Sequence, residues 1–371
     1  MLSVPQGEFV LQRYPLSKDP TLRAWDAADE YILHHLFEQE IRPSGRWWIV
    51  NDGFGALAVA LHGHGPTSQT DSLMAQRALR QNYEANGITE FGLMVDSLSE
   101  PDAPLDVVII KVPKTLAWLE DILCRLKPYC HQHTQIIAAG MAKHIHTSTL
   151  ALFEKYIGPT RTSLARKKAR LIFSEVDSAI ALKSPYPKSH RLSPWDVDIS
   201  SHANVFGGNK LDLGTRFLLE NLPEEAEAKV IADMGCGDGS LGLIAARQYP
   251  QAKLIFSDES YMAIASARQN MHACFGEHTN ATYLVTDALE GVEASSVDWV
   301  LNNPPFHQQH AKGDDIAWNM FRSAKRALKT GGELWVVANR HLGYHAKLKK
   351  LFGNYHHVAA NKKFVILKAV K

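Results

Sequence analysis

Cysteine is scarce: only Cys124, Cys130, Cys236 and Cys274 occur in 371 residues, and no two form a CxxC pair. This excludes a zinc ribbon and points to a reducing cytosolic setting. No apolar run approaches the roughly 20 residues needed to span a bilayer. The segment from Met1 to Asp19 has neither a charged region followed by an apolar stretch nor a small-residue cleavage site, so no secretory leader is expected. The spaced pairs His62/His64, His131/His133 and His144/His146 lack a defensible partner pattern, and no metal site is expected. A formal net charge of +1 announces no polyanionic partner, so any such partner must be held by a local patch.

With 45% hydrophobic and 21% charged residues, the chain has the composition of an ordinary globular protein. Its length predicts two domains, since single cores stop growing at about 250–300 residues. The stretch Ser184 to Pro194, dense in Pro, Ser and basic residues, reads as a linker between domains at 1–183 and 195–371. On both sides short β-branched runs alternate with helix-period stretches, the signature of α/β units.

In the second half, strands are expected at 229–233, 253–257, 281–285, 297–301, 332–338 and 363–370, with helices at 240–248, 260–275 and 318–328. The first half is fainter, with strands at 47–51, 107–112 and 135–139 and a helix at 73–86. The halves are related. Ser72-Leu73-Met74-Ala75 and Arg80-Gln81-Asn82 match Ser260-Tyr261-Met262-Ala263 and Arg268-Gln269-Asn270 at identical spacing. Gly53-Phe54-Gly55 reads as the counterpart of Gly235-Cys236-Gly237, which sets Leu57 where Gly239 stands. Asp106 and Pro113 have the separation of Asp298 and Pro305. Lys111-Val112-Pro113-Lys114 replaces Asn303-Pro304-Pro305-Phe306, so the first copy is expected to keep the fold and to have lost the chemistry.

Asp233-Met234-Gly235-Cys236-Gly237-Asp238-Gly239-Ser240 follows a strand and opens a helix, where glycines permit a tight turn and close backbone approach to a ligand. Gly237 to Gly242 formally fits the dinucleotide fingerprint, with Asp258 about 20 residues on. S-adenosyl-L-methionine is the competing ligand. Carboxylates at Asp233 and Asp238 favour it, since they would repel a pyrophosphate and suit an ammonium group. Asp258, with Glu259 beside it, is placed for ribose hydroxyls or as a cap for the helix at Ser260. Asp287 is placed for adenine or as a solvated loop carboxylate. Asp212, in Leu211 to Arg216, is expected over the methionine end of the cofactor.

Asn303-Pro304-Pro305-Phe306 follows the strand Val297 to Leu301. Two prolines fix φ twice and remove two N–H donors, holding the neighbouring amide and ring in one geometry. Such a corner grips a planar ring that carries an exocyclic amine. It has no evident role in hydride transfer.

With these residues assembled, the chain closely resembles the two-domain bacterial ribosomal RNA guanine-N2 methyltransferases, in particular those acting on large-subunit (23S) RNA. The resemblance extends through Ala24 to Tyr31, Lys111 to Leu116, His146 to Leu150, His202 to Phe206, Asn303 to His310, Ala338 to Leu342 and Asn361 to Phe364. It implies two tandem class I, Rossmann-like domains, each a mostly parallel seven-stranded sheet with an antiparallel last strand. Only the C-terminal domain would bind S-adenosyl-L-methionine. It also implies that Asn303 and the Pro304 carbonyl accept the N–H groups of guanine N2 while Phe306 stacks on the base. The implied partner is 23S ribosomal RNA in the cytoplasm, with a monomer and no obligate protein partner expected. A small-subunit RNA substrate, DNA adenine or protein glutamine methylation at a similar corner, and a non-catalytic assembly factor are the alternatives. Arg161 to Arg170, with Arg161, Arg166, Lys167, Lys168 and Arg170 and no acidic residue, is the candidate phosphate track. Lys347, Lys349, Lys350, Lys362 and Lys363 form a second basic group.

Overall fold

The structure, a computed structural model, describes residues 1–371 apart from 18, 20, 42–43, 208–209, 225–226, 277–279 and 306–310, with the backbone alone for 311–314. It divides into two compact units, Met1–Tyr186 and Pro187–Lys371.

The first unit opens with the hairpin β1 (Leu2–Val4) and β2 (Gly7–Phe9) and helix α1 (Ala27–Glu38). Its sheet comprises β3 (Trp47–Val50), β4 (Thr67–Thr70), β5 (Met94–Asp96), β6 (Leu105–Lys111), β7 (Cys130–Met141), β8 (Thr160–Thr162) and β9 (Ala169–Ser174), with helices α2 (Ala56–Ala60), α3 (Leu73–Ala85), α4 (Leu116–Leu126) and α5 (Thr147–Tyr156). The order is β5-β4-β3-β6-β7-β9-β8.

The second unit begins with a hairpin, β10 (Lys188–Leu192) and β11 (Val197–Ser201), then α6 (Leu213–Leu219). Next come β12 (Val230–Met234), α7 (Ser240–Gln248), β13 (Lys253–Asp258), α8 (Tyr261–Phe275), β14 (Ala281–Val285), β15 (Val297–Asn302), α9 (Ala311–Ala327), β16 (Leu328–Asn339), α10 (Tyr344–Phe352), β17 (His356–Ala360) and β18 (Phe364–Val370). The order β14-β13-β12-β15-β16-β18-β17 repeats that of the first unit. In both sheets the last strand to arrive in its position beside the central strands, β9 or β18, runs antiparallel to its neighbours. Both faces of the second sheet are covered. Ile231, Leu301, Trp335 and Val337 pack on one side, and Ala232, Val300, Val336 and Ala338 on the other, which is why its strands read as continuous apolar runs.

Two expectations change. The 184–194 stretch is more structured than a linker: Ser184 Oγ donates to Asp121 over 2.5 Å and the Tyr186 hydroxyl donates to Glu120 over 3.3 Å within the first unit. From Lys188 the chain is the hairpin strand β10, whose alternating exposed polar residues hid it.

The alignment of the two glycine loops also shifts by two residues. Val50 pairs with Gln69 as Met234 pairs with Ser257, and Gly55 (φ +82°) caps α2 as Gly239 (φ +79°) caps α7. Gly55 therefore corresponds to Gly239, and Leu57 to Leu241. A Cβ on Gly55 would meet Leu79 and one on Gly239 would meet Ala267, equivalent residues seven beyond Ser72 and Ser260. The same clip locks both loops. Asn82 Nδ2 donates to the Phe54 and Gln12 carbonyls, and Asn270 Nδ2 donates to those of Asp238 and Ser200. The Asn82 and Asn270 oxygens accept from Gln12 N and Ser200 N in turn.

Candidate active site

The cofactor loop lies between β12 and α7, with Gly235, Gly237 and Gly239 all at positive φ (+73°, +54° and +79°). At Gly239 nothing larger fits, since a Cβ would sit 2.7 Å from that of Ala267. Asp258, at the end of β13, accepts from Gly237 N over 3.0 Å and from Ser260 N over 2.9 Å, tying the loop to the start of α8. Ser260, not Asp258, is the residue that caps α8, accepting from Ala263 N. Glu259 is exposed and Asp287 half-buried after β14. Cys236 is buried, and burial pushes its thiol well above the ordinary range, so it is held as a neutral thiol.

The two loop carboxylates do not face a ligand. Asp233 is 1% exposed and accepts from Gly242 N over 2.8 Å, fastening α7 to its strand. Burial, with Asp238 and Asp258 nearby and opposed by the Gly242 N–H, pushes Asp233 up to about 7. Asp238 is also buried and takes hydrogen bonds from Ser240 and Ser201; burial raises it too. Their expected repulsion of a pyrophosphate is thus not built into the loop.

The edge of the sheet also carries a set of unused acceptors. In the second unit, among the described residues, buried side-chain oxygens lacking a hydrogen-bond partner belong to Ser257, Asn302, Asn303 and Asn339, all at or just beyond the C-terminal ends of β13, β15 and β16. A buried oxygen without a partner costs about 1–3 kcal/mol, and a ligand bearing N–H groups removes that cost. S-adenosyl-L-methionine, with its ammonium and adenine amine, can supply such groups, as can a base that carries an exocyclic amine.

Asn303 is held by the start of α6. Asp212 caps α6, accepting from Gly214 N (2.8 Å) and Thr215 N (3.0 Å), and the same Oδ2 accepts from Asn303 Nδ2 over 2.9 Å. Thr215 Oγ1 accepts from Asn303 Nδ2 over 2.8 Å. A carboxylate can only accept, so the amide nitrogen must face it and the amide oxygen must face away. Asp212, expected at the methionine end of the cofactor, is therefore seated under the Asn303 amide, and Thr215 joins it. The Asp-Leu-Gly-Thr spelling of an N-cap was the available signal. Pro304 is buried and Pro305 exposed; Phe306 lies outside the described residues.

The first unit shows the same constellation filled in. By register, Lys111 corresponds to Asn303, Asp26 to Asp212, Asp29 to Thr215 and Thr70 to Asp258. Lys111 Nζ lies 2.9 Å from Asp26 and 2.6 Å from Asp29. Burial would discharge Lys111, but Asp29 and Asp26 outweigh it and hold it charged. Asp52 accepts from Leu57 N and Ala58 N, and burial beside Asp29 pushes it up to about 7.

The basic run of 161–170 is a hairpin between β8 and β9, turning at Lys167 and Lys168, which are at positive φ. All five basic residues are exposed. Arg161 lies over the Phe173 ring, Arg166 pairs with Glu38 (2.8 Å) and Lys167 with Glu30 (2.7 Å). Lys168 and Arg170 make no ion pair among the described residues.

A family model described as the RLMG N-terminal domain matches residues 1–178, and one described as the methyltransferase small domain matches residues 196–368. Fold, glycine loop and Asn-Pro-Pro corner together define a class I methyltransferase, present here with a degenerate tandem copy. Ribosomal RNA large subunit methyltransferase G of Streptomyces coelicolor is 48% identical, with 100% of both chains covered. Its namesake in Aeromonas hydrophila subsp. hydrophila is 49% identical, covering 100% of this chain and 99% of the relative. The chain belongs to the ribosomal RNA large subunit methyltransferase G family. Among solved structures, the T. thermophilus 16S rRNA N2 methyltransferase RsmC, in complex with AdoMet and guanosine, shares the fold at a TM-score of 0.79 and 21% identity, covering 100% of this chain and 97% of that one.

Proposed function

We propose that the chain transfers a methyl group from S-adenosyl-L-methionine to the exocyclic N2 of a guanine in large-subunit (23S) ribosomal RNA, in the cytoplasm. The observation that carries this reading is the Asn303 oxygen, buried, unpaired and fixed in direction by Asp212 and Thr215.

The exocyclic amine of guanine is a weak nucleophile because its lone pair is delocalised into the ring. Asn303 Oδ1 accepts one of its N–H groups and the Pro304 carbonyl the other, drawing the nitrogen toward tetrahedral geometry with its lone pair free. Gly235, Gly237 and Asp258 would hold the cofactor, with Asp287 toward its adenine. When bound, the cofactor supplies a methyl group on a positively charged sulfur, so no strong base is needed before transfer. Asp212 and Thr215 keep the Asn303 amide from rotating, and positioning of this kind contributes up to about 7–11 kcal/mol for well-oriented reactants. After transfer the amine is acidic and loses its proton to solvent. Phe306 stacks on the base, which must be unpaired or extruded to reach the corner. The 161–170 hairpin supplies phosphate contacts, with Arg161, Lys168 and Arg170 the charges not already matched by a carboxylate.

The test is transfer of a labelled methyl group to RNA from cells lacking this protein, assayed in parallel on 23S RNA, 16S RNA, DNA and protein. Incorporation confined to 23S RNA is expected; label in 16S RNA, DNA or protein alone would overturn the reading.

A further inference from the structure

The edge that carries Asn303 holds a second acceptor of the same kind. Asn339 ends β16, and its Oδ1 is buried with no partner among the described residues. Side chains alternate along a strand, so Asn339 shares the sheet face of Trp335 and Val337. Its cross-strand partner is Phe364, which belongs to that same face. Asn303, two residues beyond Leu301, extends the face on the adjacent strand. One point fixes the neighbourhood: a Cβ added to Gly214 would lie 3.5 Å from Asn303 Oδ1 and 3.5 Å from Phe364 Cε1. Directly paired residues have Cβ atoms about 4.5–5.5 Å apart. Asn339 is thus beside Phe364, and the Phe364 ring and the Asn303 amide both flank Gly214.

We propose that Asn339 is a specificity-determining residue whose Oδ1 accepts the N1–H of the target guanine while Asn303 takes an N2–H. The proposal rests on the guanine-N2 reading and deepens it. Guanine places two donors, N1–H and the N2 amine, side by side on its Watson–Crick edge. Adenine places a lone pair at N1 beside its amine, and that lone pair would face the Asn339 oxygen. Cytosine does the same at N3. Two amide oxygens on this one edge, one for each donor, therefore admit guanine and reject the other amine-bearing bases, a discrimination that the Asn-Pro-Pro corner alone does not make.

The experiment compares RNA fragments carrying the mapped target as guanine or as 2-aminopurine, which keeps the 2-amine and lacks N1–H. The wild type should prefer guanine by roughly 10- to 100-fold in kcat/KM, the range expected when a buried acceptor loses its donor. Asn339→Ala should lower the guanine rate and leave the 2-aminopurine rate unchanged, reducing the preference to within about threefold, with cofactor affinity intact. Asn339→Asp, which keeps an acceptor oxygen at the site, should retain the preference and serves if the alanine variant does not fold. An equal loss on both substrates, or an unchanged preference in Asn339→Ala, would overturn the proposal. If the wild type leaves guanine N2 unmethylated, the underlying reading fails, and does so before any variant is compared.

Discussion

Lys111 holds in the first unit the strand position that Asn303 holds in the second, and each side-chain nitrogen is bonded to the N-cap and third residue of its unit's first helix. In one unit those partners are Asp212 and Thr215, leaving a free amide oxygen. In the other they are Asp26 and Asp29, and the ammonium group fills the place where an amine substrate would bind. The first copy is closed by a buried ion pair.

That pair should matter to stability and not to chemistry. Removing one partner of a buried ion pair costs about 3–5 kcal/mol. Lys111→Met should lower unfolding free energy by about that much in urea titrations, with kcat unchanged for the folded enzyme. The double variant Lys111→Asn, Asp29→Thr copies the neutral arrangement of the second unit and should recover most of the loss. A double variant as unstable as Lys111→Asn alone would contradict the correspondence.

Asn303→Ala should reduce kcat on the order of a hundredfold while cofactor affinity, measured calorimetrically, stays near that of the wild type. Thr215→Val removes one of two acceptors that orient the amide. Since one hydrogen bond contributes about 0.5–1.5 kcal/mol net, kcat should fall between about twofold and tenfold. A loss expressed only in cofactor binding would return Thr215 to the cofactor pocket.

Asp233 gives a pH signature. Its carboxyl is raised from the ordinary aspartate value of 3.8 to about 7, chiefly by burial, so it stays protonated in the folded protein after the unfolded chain has ionised. The stability it contributes is complete below about pH 4 and is lost as pH rises through about 7. Asp233→Asn carries no titrating group there. Denaturation at pH 4.5 and pH 8 should show the variant gaining on the wild type at the higher pH, and a constant difference would refute the shift.

Lys168→Ala and Arg170→Ala should each reduce the slope of log affinity against log salt for RNA by about 1, with cofactor affinity unaltered. Arg166→Ala and Lys167→Ala should do less, because Glu38 and Glu30 already neutralise them. Equal effects from all four would mean those ion pairs open on binding RNA.

The second unit was largely legible because its strands are buried on both faces and read as apolar runs, as in Val297 to Leu301. In the first unit β4 escaped notice because Thr67-Ser68-Gln69-Thr70 is polar, although Ser68, Gln69 and Thr70 are buried. Counting glycines misplaced the first loop by two residues, since only strand pairing and the helix caps fix the correspondence. The loop carboxylates looked like ligand contacts, yet Asp233 and Asp238 turn inward to hold helix backbone. The bond from Asn303 to Asp212 joins residues 91 apart in sequence, and no local pattern announces it.

In the proposed mechanism the fixed oxygen of Asn303 presents the exocyclic amine of guanine for methylation. Nucleoside mass spectrometry of 23S RNA methylated by the purified protein, taken from a strain that lacks it, tests this most directly. The expected product is N2-methylguanosine at one position, and it should disappear with Asn303→Ala. A methyl group on a ring nitrogen, a ribose oxygen or an adenine would contradict it.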